Sequence, residues 1–156
     1  MSIDLAGSYP TLSRSARGTY PDGVYHEGMV RLTQEPIDYH ALTEAVRSPH
    51  CGGVCLFLGT VRDLTGDEVT VYLDYEAYAP MAEKKLAEIE TEIRARWPVG
   101  GVAMVHRLGR LAVGEVSVAI AISCPHRAEA FAACRFAIDT VKELVTIWKK
   151  DVPEKS

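Results

Sequence analysis

Apolar positions change period several times along the chain, and each change marks an element. In VTVYLDYEAY (69–78), Val69, Val71, Leu73 and Tyr75 alternate with polar residues, which predicts a half-buried strand. GGVCLFLGTVRD (52–63) holds an unbroken apolar core from Val54 to Leu58 with glycines at both ends, again a strand. The TGDE turn between them predicts a hairpin. PMAEKKLAEIETEIRARW (80–97) changes to helical spacing: Leu86, Ile89, Ile93 and Trp97 share one stripe, proline opens the first turn, and the remaining face is charged. A second helix follows Pro125, with Phe131, Cys134, Ile138, Val141 and Val145 predicted as its buried stripe.

Between these helices, GGVAMVHRLGRL (100–111) and EVSVAIAISC (115–124) read as two strands joined through AVG. Ahead of them, MVRLTQ (29–34) is expected as a first strand and PIDYHALTEAVRS (36–48) as a short helix with Asp38 near its start. The order becomes β, α, β, β, α, β, β, α with a short extended end. Paired antiparallel strands between helices predict an α+β fold and argue against a doubly wound parallel sheet. Residues 1–28 are rich in Gly, Ser, Tyr, Pro and Arg without a period, so they are expected as a flexible amino-terminal arm, leaving 29–156 as the folded domain.

With 156 residues, 47% of them hydrophobic, the chain can bury a core without staples. A formal net charge of -4 supplies no global field for nucleic acid or an anionic membrane, so any anion site must be local. No apolar run approaches the roughly 18 residues of a membrane span, and no secretory block opens the chain, so a cytoplasmic protein is expected. Cys51, Cys55, Cys124 and Cys134 lack the spacing of a zinc ribbon or a redox pair and read as structural thiols. His50 beside Cys51 has no further ligand nearby for a metal.

Cations gather at four places. In SCPHRAEAF, His126 and Arg127 fall at a helix start, where the macrodipole disfavours positive charge. Solvated side chains compensated by Glu129 would explain them, and so would a phosphate or carboxylate pocket built with the helix amides. Arg62 leaves an apolar strand, where it serves either as a surface residue or as a bidentate anion grip. On HRLGRL, His106 shares a face with Leu108 and reads as a core histidine. Near the end, TVKELVTIWKKD places Lys142 at the flank of the helix stripe, where Asp139 could pair with it. Extended geometry from 145 to 150 would put Lys149 on the face of Val145 and Ile147, the more desolvated choice, while Lys150 reads as surface.

GTVRD, YEAYAPMAEKKLAEI, RWP, HRLGRLAVGE, PHRAEAFAACRFAID and the K-x6-K ending in IWKKD, taken in order over about residues 30–151, resemble the large-subunit family of molybdopterin synthase, the MoaE family. The resemblance implies an α/β hammerhead fold and a homodimer of large subunits. A small ubiquitin-like subunit docks at each end, giving a heterotetramer. Its carboxy-terminal Gly-Gly thiocarboxylate would deliver sulfur to cyclic pyranopterin monophosphate and build the dithiolene of molybdopterin, with no metal or organic cofactor. On this likeness Lys142 and Lys149 are the catalytic lysines, and Arg62, His126, Arg127 and Lys149 bind substrate, with His126 and Arg127 serving the neighbouring subunit's site. Two departures stand out: Thr146 replaces the family's usual proline, and relatives usually continue beyond KKDVPEKS with a tryptophan-containing tail. The alternative they raise is a non-catalytic docking scaffold for the small subunit.

Overall fold

The computed structural model describes residues 29–144 and 147–153, the last strand through its backbone. The arm over residues 1–28, and Val145 and Thr146, lie outside the described residues.

One sheet forms the centre. It is built from β1 (Val30–Thr33), β5 (Gly101–Arg107), β7 (Val116–Cys124) and β2 (Gly53–Thr60), in the spatial order β1-β5-β7-β2. β5 and β7 are the buried middle, and their alternate residues divide between two faces as a period of two requires. Val102, Met104, Val118, Ile120 and Ile122 join the larger core, whereas Ala103, Val105, Ala119 and Ala121 join the smaller one. α2 (Ala79–Arg96) and α3 (Arg127–Leu144) cover the first face; α1 (Tyr39–Val46) covers the second with Leu42 and Val46. Small alanines on the α1 face let that short helix approach closely. Gly101 belongs to the same approach, since a Cβ there would stand 2.8 Å from the Val46 Cα.

A second sheet leaves one end of the first. β3 (Leu64–Thr65), β4 (Glu68–Ala77) and β6 (Gly109–Ala112) lie side by side, and β8 (Ile147–Pro153) runs antiparallel to β4. Val61, Leu73 and Leu111 form its own buried cluster, with Tyr75 packed against it.

The α+β class and the element order follow the hydrophobic pattern, while four local expectations are corrected. β2 and β4 do not form a hairpin: β2 pairs with β7, and the tight hairpin is β3 with β4 across Gly66, whose φ of 64° suits glycine. HRLGRL is not one strand. The chain breaks at Leu108, and Gly109, with φ of 95°, redirects β6 into the second sheet. The sheet is not wholly antiparallel, because β1 runs parallel to β5.

The fourth correction concerns α3. Its buried stripe is Ala130, Ala133, Cys134, Ala137 and Val141, and Phe131 is 63% exposed. Alanines between helix and sheet give contact at short range, so the bulky ring one position round falls outside. On α2, by contrast, Leu86, Ile89 and Ile93 are buried as the stripe predicts, with Ala82 beside them and Trp97 half-buried at the end.

Candidate functional site

α3 opens directly against the start of β2: a Cβ on Gly53 would stand 3.0 Å from the Arg127 amide nitrogen. Midway, the Cys134 thiol meets the Cys55 side chain and the Phe57 backbone, so helix and strand advance together. From Gly53 to Thr60 the strand rises about 23 Å. From Arg127 to Lys142 the helix rises about 22 Å. Lys142 therefore reaches the end of β2 from which Arg62 emerges, and His126 and Arg127 remain at the opposite end.

Both residues at the near end are exposed side chains on anchored backbone. Beside Arg62, the Val61 amide donates to the Glu115 carbonyl at 3.0 Å, and the Val61 carbonyl accepts from Gly114 at 2.9 Å. Asp63 accepts from the Thr70 amide at 2.8 Å. Lys142 follows buried Val141 and Thr140, and the Thr140 hydroxyl donates to the Phe136 carbonyl at 2.6 Å. Asp139, the alternative partner for Lys142, lies 3.7 Å from Arg135.

Ion pairing separates the cations into two groups. Arg47, Arg94, Arg96, Arg107, Arg110 and Arg135 each hold a carboxylate. Arg62, Arg127, His126 and Lys142 have no ion-pair partner among the described residues, as is also true of Arg31, Lys84 and Lys85. Those at the two ends of β2 are exposed and open to an anion from solvent.

Lys149 lies in β8, opposite Tyr75 of β4 in the strand ladder, and Lys150 is opposite Asp74. β4 follows β2 through Val61 and the β3 hairpin, so Lys149 belongs to the sheet that leaves the Arg62 end. The side-chain face expected for Lys149 lies outside the described residues. Behind Tyr75 stands His106, with ring centroids 5.3 Å apart. His106 is 8% exposed, as a core histidine should be, and burial pushes its pKa below the ordinary 6.5. The period-two pattern placed His106 and Tyr75 inside, yet nothing local announces a contact between residues so distant in sequence.

Two of the thiols are buried. Burial, with Cys55 adjoining, pushes Cys134 up to about 12, and burial does the same for Cys124. Both remain protonated at neutral pH and are poor nucleophiles, so neither is suited to carrying sulfur. All four cysteines are free. No group of three or more His, Cys, Asp or Glu among the described residues could hold a metal, and none of their helices is long and apolar enough to cross a membrane.

Arg62 and Lys142 thus stand exposed on anchored backbone towards one end of β2, and the strand that carries Lys149 belongs to the sheet that leaves that end. Residues 32–144 match the family described as MoaE protein, and the chain belongs to that family. Over 120 residues it is 50% identical to the molybdopterin synthase catalytic subunit of Halalkalibacterium halodurans, covering 77% of each chain. The crystal structure of molybdopterin synthase from Staphylococcus aureus superposes with a TM-score of 0.79 at 42% identity, covering 84% of this chain and 96% of that one. A protein–protein complex of subunits 1 and 2 of molybdopterin-converting factor from Helicobacter pylori shares the fold, with a TM-score of 0.68 at 21% identity over 82% and 87% of the two chains. The function is that of a molybdopterin synthase catalytic subunit, a sulfurtransferase in molybdenum cofactor biosynthesis.

Proposed function

We propose that the free cations at the Arg62 end form the sulfur-transfer site, completed by His126 and Arg127 from a second copy of the chain. The donor is the thiocarboxylated Gly-Gly end of a small ubiquitin-like subunit, and the acceptor is cyclic pyranopterin monophosphate. Thiocarboxylate sulfur bonds to a pterin side-chain carbon as that carbon's C–O bond breaks, the oxygen leaving as water or, where it belongs to the cyclic phosphate, with the opened phosphate ester. Water then adds to the thioester carbonyl, the acyl–sulfur bond breaks with the sulfur kept on the pterin as a thiolate, and the tail leaves as a carboxylate. A second round completes the dithiolene. Lys142 sits by the tail carbonyl, where its charge stabilises the oxyanion that forms on hydrolysis. Lys149 contacts the pterin anion and shares in proton transfer. Arg62, with His126 and Arg127 of the other copy, grips the phosphate. The reaction belongs to the cytoplasm, where free thiols persist.

The observation that carries this reading is the separation along β2. Arg62 and Lys142 share one end, and His126 and Arg127 are about 23 Å away at the other, too far for one phosphate to touch both. A two-fold seam that reverses β2 removes the difficulty. Along its outer edge β2 has no neighbour among the described residues, and Gly53–Thr60 carries no charged side chain. Antiparallel pairing with its own copy would therefore set no like charges opposite one another. Val54 and Leu56 stand exposed on that strand and would be covered. Pairing about the middle of β2 sets Gly53 beside Thr60 of the copy, and hence Arg127 beside the other Arg62. The heterotetramer then has one small subunit at each of two equivalent ends.

The test combines this chain, thiocarboxylated small subunit and cyclic pyranopterin monophosphate, with dithiolene formation as the readout. Product at a rate that depends on Lys142 and Lys149 supports the assignment. Tight binding of the small subunit by folded protein without product refutes it and leaves a docking scaffold.

A further inference from the structure

We propose that Tyr75 and His106 are a positioning pair, a ring contact that holds the strand carrying Lys149 at a fixed distance from the main sheet. The proposal rests on the reading of Lys149 given above and names what sets its place. Lys142 is carried by α3, packed on the main sheet, whereas Lys149 is carried by β8, which pairs with β4 of the second sheet. Two groups that must act on one small substrate thus stand on two different layers. Their separation depends on how those layers are joined.

Tyr75 stands at the junction. In β4 it is opposite Lys149 of β8 on one side and opposite Gly109 of β6 on the other. Its ring meets His106 of β5 at 5.3 Å with the planes tilted by 59°. Gly109 leaves that crossing uncluttered, since it has no side chain and its φ of 95° would strain any other residue. His106 itself is locked. Its opposite numbers in the sheet are Leu32 of β1 and Val118 of β7, and its Nδ1 lies 2.9 Å from the Arg107 carbonyl. A carbonyl only accepts, so Nδ1 carries the proton and the neutral ring has one tautomer.

A histidine is a costly choice for this place if packing alone mattered, because an apolar ring would fill it without burying a polar nitrogen. The Nδ1–H bond to the Arg107 carbonyl offsets that cost, and the flat face of the ring is what the Tyr75 ring rests on. Protonation would put a charge there. The residues it faces, Leu32, Val118 and Tyr75, include no carboxylate to balance it, and the nearby Glu115 carboxylate is held by the Ala112 amide at 2.7 Å and by Arg107 at 3.4 Å.

The experiment compares His106→Ala, His106→Phe and Tyr75→Ala in the complete synthase assay across pH, together with hydrogen exchange of the β8 amides. A shift of about 1 Å in a reacting group costs up to roughly a hundredfold in rate, so His106→Ala and Tyr75→Ala should lower kcat roughly ten- to hundredfold with little change in KM for the small subunit. His106→Phe keeps a ring and loses the proton. It should restore kcat and flatten the acid limb of the wild-type pH profile. Exchange over 147–153 should quicken in both alanine variants and return to normal in His106→Phe. Unchanged exchange and kcat in folded His106→Ala would overturn the positioning role, as would failure of His106→Phe to restore exchange. Lys149→Ala keeps the two readings apart: if it retains full activity, the role given to Lys149 falls, while the exchange data still decide whether the ring pair holds β8.

Discussion

Mixing two inactive variants tests the shared site more sharply than any single substitution. Arg62 and Arg127 are exposed and without ion-pair partners among the described residues, so Arg62→Ala and Arg127→Ala should fold as the parent does. Each loses a charge-assisted contact to phosphate worth about 1.5–3 kcal/mol, a loss of roughly ten- to hundredfold in kcat/KM. If each site takes Arg62 from one copy and Arg127 from the other, a mixed dimer has one site lacking both arginines and one site intact. Random assortment of equal amounts makes half the dimers mixed, so intact sites amount to about a quarter of the wild-type number. The two variants should be co-expressed with different tags, purified singly and as the mixture, and assayed for dithiolene. Recovery near that fraction, with the mixed dimer purified through both tags near one half, is the expected result. A mixture no more active than its parents would refute the seam along β2, because arginines acting within one chain cannot complement.

The remaining predictions need simpler material. Lys142→Ala should abolish dithiolene formation while leaving Tm within a degree or two in differential scanning calorimetry, since its side chain is exposed at the end of α3. Ile93→Ala, at a fully buried position of α2, should cost about 2–5 kcal/mol in a denaturant titration. His106 predicts the pH dependence of stability. Its folded pKa lies below 6.5, so as pH falls through that value the unfolded chain takes up a proton before the folded one does. Stability should drop there and level off only once the folded imidazole is protonated, and His106→Phe should remove that component. Cys134, with its thiol pushed up to about 12, should resist alkylation at pH 8 in the native protein and react once it is unfolded.

Legibility in the sequence followed how local the controlling interaction is. α2 could be read because its stripe of Leu86, Ile89 and Ile93 meets a broad apolar surface, and each residue declares its face by spacing alone. α3 misled because its contact face is made of alanines. The hydrophobic residue that draws the eye, Phe131, is the one that the close approach leaves outside. Strand pairing was less legible still. β2 and β4 are separated in sequence by a short stretch holding the two residues of β3 and invite a hairpin, but the unbroken apolar run of β2 suits the main sheet, where α1 and α3 flank it, whereas β4 buries Leu73 and leaves Val69 and Val71, predicted on the same face, exposed. Of the candidate site, Arg62 and Lys142 could be named singly, though only the parallel advance of β2 and α3 places them at one end. The same advance leaves Arg127 at the other end, a relation that no spacing rule contains.

That separation gives the small size of the domain a meaning. A pterin phosphate and a peptide end both carry negative charge, and a net charge of -4 means that the protein must concentrate its cations to receive them. Gathering four or five unpaired cations within one chain would set them against each other in the free protein, with like-charge repulsion acting at every moment that no substrate is bound. Placing Arg62 and Lys142 at one end of β2 and Arg127 at the other spreads that repulsion over about 23 Å, well beyond the roughly 8 Å over which salt screens charge. On the proposed seam each chain would fold without that penalty, and the full cation set would come together only where two copies meet. An edge strand without charge is what such an arrangement demands of β2, because the seam that joins the two half-sites must add no repulsion of its own.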